Sequence, residues 1–144
     1  MSRSGGCQCG AVRFRVEDIG RASICHCRMC QKATGGFFGP YVDAVGLTWT
    51  KVEPKRFRSS EAAERGFCEA CGTPLTFEAK GETGLSIGAF DDPATIAPVT
   101  QLIWDAKLPY VDHLGDLPEW KSSKQLSAGE AFEGVASYQH PDHD

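Results

Sequence analysis

Seven cysteines in a chain of 144 residues fall into three tight groups: Cys7 with Cys9, Cys25 with Cys27 and Cys30, and Cys68 with Cys71. Thiols kept only for packing would be scattered, so this grouping constrains the fold more than any other feature. An odd number cannot all pair as disulfides. Residues 1–6 carry no apolar leader, so the expected compartment is the cytoplasm, where clustered thiols serve metal binding or redox chemistry. A tetrahedral zinc takes four protein ligands when structural and three when one position is left for water or substrate. Cys68-Glu69-Ala70-Cys71-Gly72 is a knuckle that offers two sulfurs to one ion, and Cys7 and Cys9 supply the complementary pair. Cys25, Cys27 and Cys30 remain as a three-thiol, reactive site. A second partition, with the knuckle joined to two of the Cys25 group and Cys7 and Cys9 left as a redox pair, stays open but splits the compact cluster.

Around these groups the pattern is that of short strands. Val12, Phe14 and Val16 alternate with Arg13 and Arg15, which predicts a half-buried strand opening just after Cys9. The glycines beside Cys7 and Cys9 are expected to let the backbone turn tightly around an ion. An extended Cys25-His26-Cys27 leads into one helical turn that sets Cys27 and Cys30 on one face, and Gly35-Gly36 ends it. Strands are expected over 37–42, 47–52 and 56–58, with Pro40 and Pro54 marking them as short or edge strands. Residues 75–78 and 85–89 read as a hairpin, 91–96 as a helical turn and 102–104 as a further strand. Ser127-Ala128-Gly129-Glu130 is a capping-box pattern. Phe132, Val135 and Ala136 follow it, so a short helix is expected there, ahead of a polar tail expected to fray from His140. The resulting organisation is one zinc-binding domain over 1–122 and a C-terminal extension over 123–144.

Fifteen Lys plus Arg against nineteen Asp plus Glu leave a net charge of −4, which argues against a nucleic-acid partner. No apolar run approaches the roughly 18 residues of a spanning helix, which argues against a membrane protein. His26, between Cys25 and Cys27, points away from both in an extended segment and is read as lying behind the cluster or facing solvent. His113, His140 and His143 are read as surface residues. Trp49, Trp104 and Trp120 are read as core or pocket wall.

The three motifs 5–14 (Gly5-Gly6-Cys7-Gln8-Cys9-Gly10-Ala11-Val12-Arg13-Phe14), 25–32 (Cys25-His26-Cys27-Arg28-Met29-Cys30-Gln31-Lys32) and 65–75 (Arg65-Gly66-Phe67-Cys68-Glu69-Ala70-Cys71-Gly72-Thr73-Pro74-Leu75) stand in the order found in one family. Through them the chain resembles the glutathione-dependent formaldehyde-activating enzymes, which include the centromere protein V domain. The resemblance implies a mainly β fold of the β-tent type with two zincs per chain. One is a structural zinc on Cys7, Cys9, Cys68 and Cys71, and the other a catalytic zinc on Cys25, Cys27 and Cys30. It also implies a small thiol partner such as glutathione and the synthesis of S-(hydroxymethyl)glutathione from formaldehyde, counted as a carbon–sulfur lyase activity. Where many relatives carry a His-Ile pair, this chain reads Gln101-Leu102.

Three thiolates on zinc carry net negative charge, so such a centre polarises a carbonyl weakly but holds a further thiol as thiolate at neutral pH. Arg28 and Lys32 flank the cluster and are expected to offset that charge and receive a substrate carboxylate. No residue stands out in the sequence as a proton donor to the new alkoxide. The alternative is a non-catalytic, zinc-stabilised protein-binding module, which two closed and equally tight sites would mark.

Overall fold

A computed structural model describes residues 1–119 and 136–143. Its described part is built mainly from strands: β1 (Arg3–Gly6), β2 (Arg13–Val16), β3 (Asp18–Cys25), then the helix α1 (Arg28–Thr34), β4 (Gly39–Val45), β5 (Thr48–Trp49), β6 (Lys55–Arg58), β7 (Ala63–Phe67), β8 (Pro74–Ala79), β9 (Glu82–Ser86) and β10 (Thr100–Leu102). Short 3-10 turns occupy Ile87–Ala89, Pro93–Thr95, Trp104–Ala106 and Pro109–Asp116. The mainly β class expected from the resemblance is therefore present.

The strands form two sheets. The smaller runs β1-β2-β5; the larger runs β10-β3-β4-β9-β8-β7-β6. All pairings are antiparallel except β10 beside β3. The β8–β9 hairpin closes on Lys80 and Gly81, both at positive φ (53° and 79°). Two such residues make a turn whose twist matches the strands it joins.

The core is filled by the apolar face of β2 against the larger sheet. Phe14, Val16, Val42, Leu75 and Leu85 are each wholly buried, and Cys7 and Cys68 belong to the same cluster. The Phe14 ring meets Phe90 edge-on at 5.1 Å and Trp49 at 6.0 Å, the geometry aromatic quadrupoles favour.

Several expectations are corrected. Arg13 does not face solvent: it is 2% exposed, and its fork reaches Asp91 with Nη1–Oδ1 at 2.8 Å and Nη2–Oδ2 at 2.7 Å. A period of two puts Arg13 and Arg15 on one face; Arg15 stays exposed, while Asp91 meets Arg13 and allows its burial. Gly5 and Gly6 lie in β1, not in a turn; a Cβ on Gly6 would clash with the Val12 carbonyl oxygen and stand 2.7 Å from the Arg13 Cδ, so this glycine permits the close approach of the chain that carries Arg13. Pro40 lies in β4, an internal strand. It is tolerated because only β3 runs beside it there, the β9 pairing beginning at Tyr41. The strand expected over 47–52 shortens to Thr48–Trp49.

At the C-terminus the capping box and nearly all of the helix expected after it, with Trp120, lie outside the described residues. The structure gives the tail contacts at His140. Its N–H donates to the Gln8 carbonyl at 2.7 Å, and its ring sits over Gly10, where a Cβ would clash with it.

Candidate metal centres

Cys7 and Cys9 sit in the loop between β1 and β2, and Cys68 and Cys71 in the loop between β7 and β8. The two loops are alike. Each is a backbone turn closed at a glycine: Gly10 N–H donates to the Cys7 carbonyl at 3.0 Å and Gly72 N–H to the Cys68 carbonyl at 2.8 Å. Both glycines take positive φ, 77° and 78°, which L side chains rarely adopt. The first loop belongs to the small sheet and the second to the large one. All four sulfurs lie within 4.8 Å of one another, with Cys7–Cys9 at 3.6 Å and Cys9–Cys68 at 3.9 Å.

Cys25 ends β3, Cys27 caps α1 and Cys30 lies within it. Cys27 is extended (φ −59°, ψ 151°), and its Sγ accepts the Cys30 N–H at 3.3 Å, so the thiol performs the N-cap work usually done by an oxygen. Gly35 ends the helix in the left-handed conformation, as expected. The three sulfurs lie within 4.8 Å of one another. The ligand-counting partition thus matches the two thiol clusters in space; the rival partition would need thiols that the fold keeps in separate groups. Each cluster could hold a metal ion.

Both clusters reach open space: in the four-thiol cluster Cys9 is exposed and Cys7 lines a cavity of about 220 Å³. Cys25 and Cys30 line a cavity of about 420 Å³ with Tyr41, Phe77, Arg21 and Asp43. Such a volume suits a small molecule.

Charge is arranged differently from the expectation. The cation in contact with the three-thiol cluster is Arg65 on β7. It is 3% exposed and donates from Nη2 to Cys30 Sγ at 3.4 Å, from Nη1 to the Tyr41 hydroxyl at 2.9 Å and from Nε to Ser59 Oγ at 2.8 Å. Its guanidinium also stands 5.0 Å from the Phe77 ring centre, a cation–π distance. Arg28 is exposed and donates to Gln31 Oε1 at 3.1 Å, and Lys32 is exposed on the same helix. Sequence reading missed Arg65 because it lies 35 residues from Cys30 and looks like a strand residue facing solvent. Its place just before the knuckle, inside the third motif, was the available signal.

His26 does not face solvent either. It is wholly buried between Phe38 and Trp104, with Nε2 at 2.8 Å from Gln101 Oε1. Its carbonyl accepts the Gln31 amide at 2.8 Å, and its N–H donates to the Leu102 carbonyl at 3.0 Å. His26 therefore braces the loop from behind and offers nothing to the cluster. Gln101 is its partner. His113 is a surface residue, 3.4 Å from Asp116.

Burial and hydrogen bonding divide the thiols. Burial pushes Cys30 up to about 12, against the pull of Arg65, and Cys68 up to about 12, against two backbone N–H groups. Burial also opposes ionisation of Cys71, but the Thr73 hydroxyl and backbone outweigh it and bring that thiol down to about 6. Thiols this far above neutrality give up their protons only when another cation takes the proton's place. Both clusters contain one.

A family model described as glutathione-dependent formaldehyde-activating enzyme matches residues 2–106. No curated protein matches the chain. Among solved structures, a crystal structure of a Rhodobacter sphaeroides protein from a structural genomics programme is 22% identical. The match covers 68% of this chain and 98% of that one at a TM-score of 0.56, and it shows a shared fold.

Proposed function

The chain belongs to the glutathione-dependent formaldehyde-activating enzyme family, and from that membership we propose that it joins a small thiol to formaldehyde, with glutathione as the thiol and S-(hydroxymethyl)glutathione as product, a zinc-dependent reaction of the carbon–sulfur lyase class. The observation that carries this reading is the three-thiol cluster on the wall of a cavity, where Cys25 and Cys30 meet the space a substrate would fill.

The residues present fit zinc. Thiolates bound at about 2.3 Å to a tetrahedral ion stand roughly 3.8 Å apart, and two sulfur separations of the four-thiol cluster, 3.6 and 3.9 Å, straddle that value. Zinc on Cys7, Cys9, Cys68 and Cys71 would be closed and structural. Zinc on Cys25, Cys27 and Cys30 would supply a remaining position at which an incoming thiol stays ionised at neutral pH.

The chain's own groups do the rest. The Cys30 N–H and Arg65 donate to the cluster's sulfurs and draw off part of their negative charge. Arg28 and Lys32, exposed on α1, meet the substrate carboxylates. The cavity holds the aldehyde beside the sulfur, so positioning supplies much of the gain. A carbon–sulfur bond forms, the carbonyl π pair moves to oxygen, and that oxygen takes a proton from water. The proton the thiol lost on binding returns to solvent, so the sum is one thiol plus one aldehyde.

Cobalt in place of zinc reports the test. Adding glutathione should change the ligand-field spectrum, and the apparent affinity should rise about tenfold per pH unit below the thiol's own pKa, since one proton is displaced on binding. Above that pKa it should level off. Formaldehyde added next should give the hydroxymethyl adduct faster than the uncatalysed mixture. A spectrum unmoved at saturating thiol would sink the enzyme reading and favour a protein-binding module.

A further inference from the structure

The cavity wall holds a polar group that the reaction just proposed does not use. Tyr41, on β4, is 9% exposed and lines the same cavity as Cys25 and Cys30. Its hydroxyl oxygen accepts a hydrogen bond from Arg65 Nη1 at 2.9 Å, while Nη2 of the same guanidinium holds Cys30 Sγ at 3.4 Å. One buried cation therefore ties a phenol to the thiol cluster. Ser59 holds Arg65 at Nε and Phe77 stands beneath it, so the fork cannot swing away without losing several partners.

The chemistry of that phenol is restricted. With its oxygen already accepting from a cation, its remaining capacity is to donate its own hydrogen, and no acceptor for that hydrogen is found among the described residues. A phenol polarised in this way is a stronger donor than a free one. Being fixed before any substrate arrives, it meets developing negative charge without reorganising.

From this we infer that Tyr41, held by Arg65, forms an oxyanion site that receives the carbonyl oxygen of a small aldehyde while a thiol bound at the Cys25, Cys27 and Cys30 cluster attacks its carbon. The inference rests on the thiol-plus-aldehyde reading above. Tyr41 is the catalytic residue of this site and Arg65 its positioning residue. As the carbon–sulfur bond forms, the carbonyl π pair passes to an oxygen hydrogen-bonded by Tyr41. The oxygen then takes its proton from water, and Tyr41 keeps its own.

Two probes that differ by one hydroxyl test the site: ethanethiol and 2-mercaptoethanol, each titrated into the cobalt-loaded protein and followed by its spectrum. The wild type should bind 2-mercaptoethanol about tenfold more tightly. Tyr41→Phe should bring the two to within about twofold and leave the affinity for ethanethiol where it was. With glutathione and formaldehyde, Tyr41→Phe should lower kcat about 100-fold and leave KM for glutathione unchanged. Equal affinity of the wild type for the two probes, which needs no variant to fold, overturns the inference, as does a preference that survives Tyr41→Phe. In both cases thiol binding itself stands. Failure of either thiol to alter the spectrum overturns the thiol reading and this inference with it.

Discussion

Replacing Cys71 with serine is expected to abolish soluble folding, while Cys27→Ser leaves a protein that still melts cooperatively. The reason lies in where the two clusters stand. The four-thiol cluster takes one pair of ligands from the small sheet and one from the large sheet, with Cys9 and Cys68 separated by 59 residues of chain. Cys7 and Cys68 are also part of the core. Metal bound there closes a long loop and joins the sheets at once, and in small zinc domains such binding is worth about 10–16 kcal/mol. That is of the same size as the whole stability of a typical domain, about 5–15 kcal/mol. The three-thiol cluster lies within one continuous segment that β3, α1 and His26 already hold in place. Losing a ligand there loses the ion and not the fold. Metal analysis should find one equivalent retained in Cys27→Ser, and mild chelation of the wild type should remove one equivalent before the far-ultraviolet signal falls. Equal damage to melting from both substitutions would show that the Cys25 cluster is structural too.

The second large effect is expected at Asp91. This carboxylate is the bidentate partner of Arg13, which is 2% exposed, and it also accepts the Ser4 hydroxyl at 2.7 Å. The pair fastens β2 and β1 to the turn that follows β9. Asp91→Asn takes the bidentate carboxylate away from the buried guanidinium, which costs about 3 kcal/mol. In a domain of this size that should lower Tm by about 10 °C. The pH dependence has a definite sign. The Arg13 fork, and then the Ser4 hydroxyl, hold the Asp91 carboxyl below the usual carboxylate range. The native state therefore binds fewer protons than the unfolded chain at acid pH. Its stabilisation is complete above the ordinary aspartate value of about 4 and is lost as pH falls through the lower folded value. Asp91→Asn should flatten that part of the acid-unfolding curve. An unchanged curve would show that this pair is not what acid breaks.

What could be read without coordinates was the local chemistry. Cys68-Glu69-Ala70-Cys71-Gly72 and Cys27 with Cys30 declare themselves because their ligand spacing is a short-range property, set by a turn or one helical step. Gly35 ended α1 for the same reason; the hairpin was found with its first strand in place, but its second strand lies at Glu82–Ser86 and not over 85–89. The two-cluster partition was also legible, because counting ligands needs no geometry.

Long-range pairing was not legible. Arg13 reads as a solvent-facing strand residue until Asp91, distant in sequence, arrives to neutralise it. His26 reads as lying behind the cluster or facing solvent, and only Phe38, Trp104 and Gln101, closing over it, decide for the first. Arg28 and Lys32 were the near cations in sequence, yet the one touching a cluster sulfur is Arg65, carried there by β7. Tyr41 reads as an ordinary β residue until the same guanidinium ties it to Cys30. The sequence by itself determined which thiols gather and in what groups, since thiol spacing is written along the backbone. Only the tertiary structure decided what surrounds each group, because burial of a charge or a phenol is favourable only beside a partner that the fold has to bring.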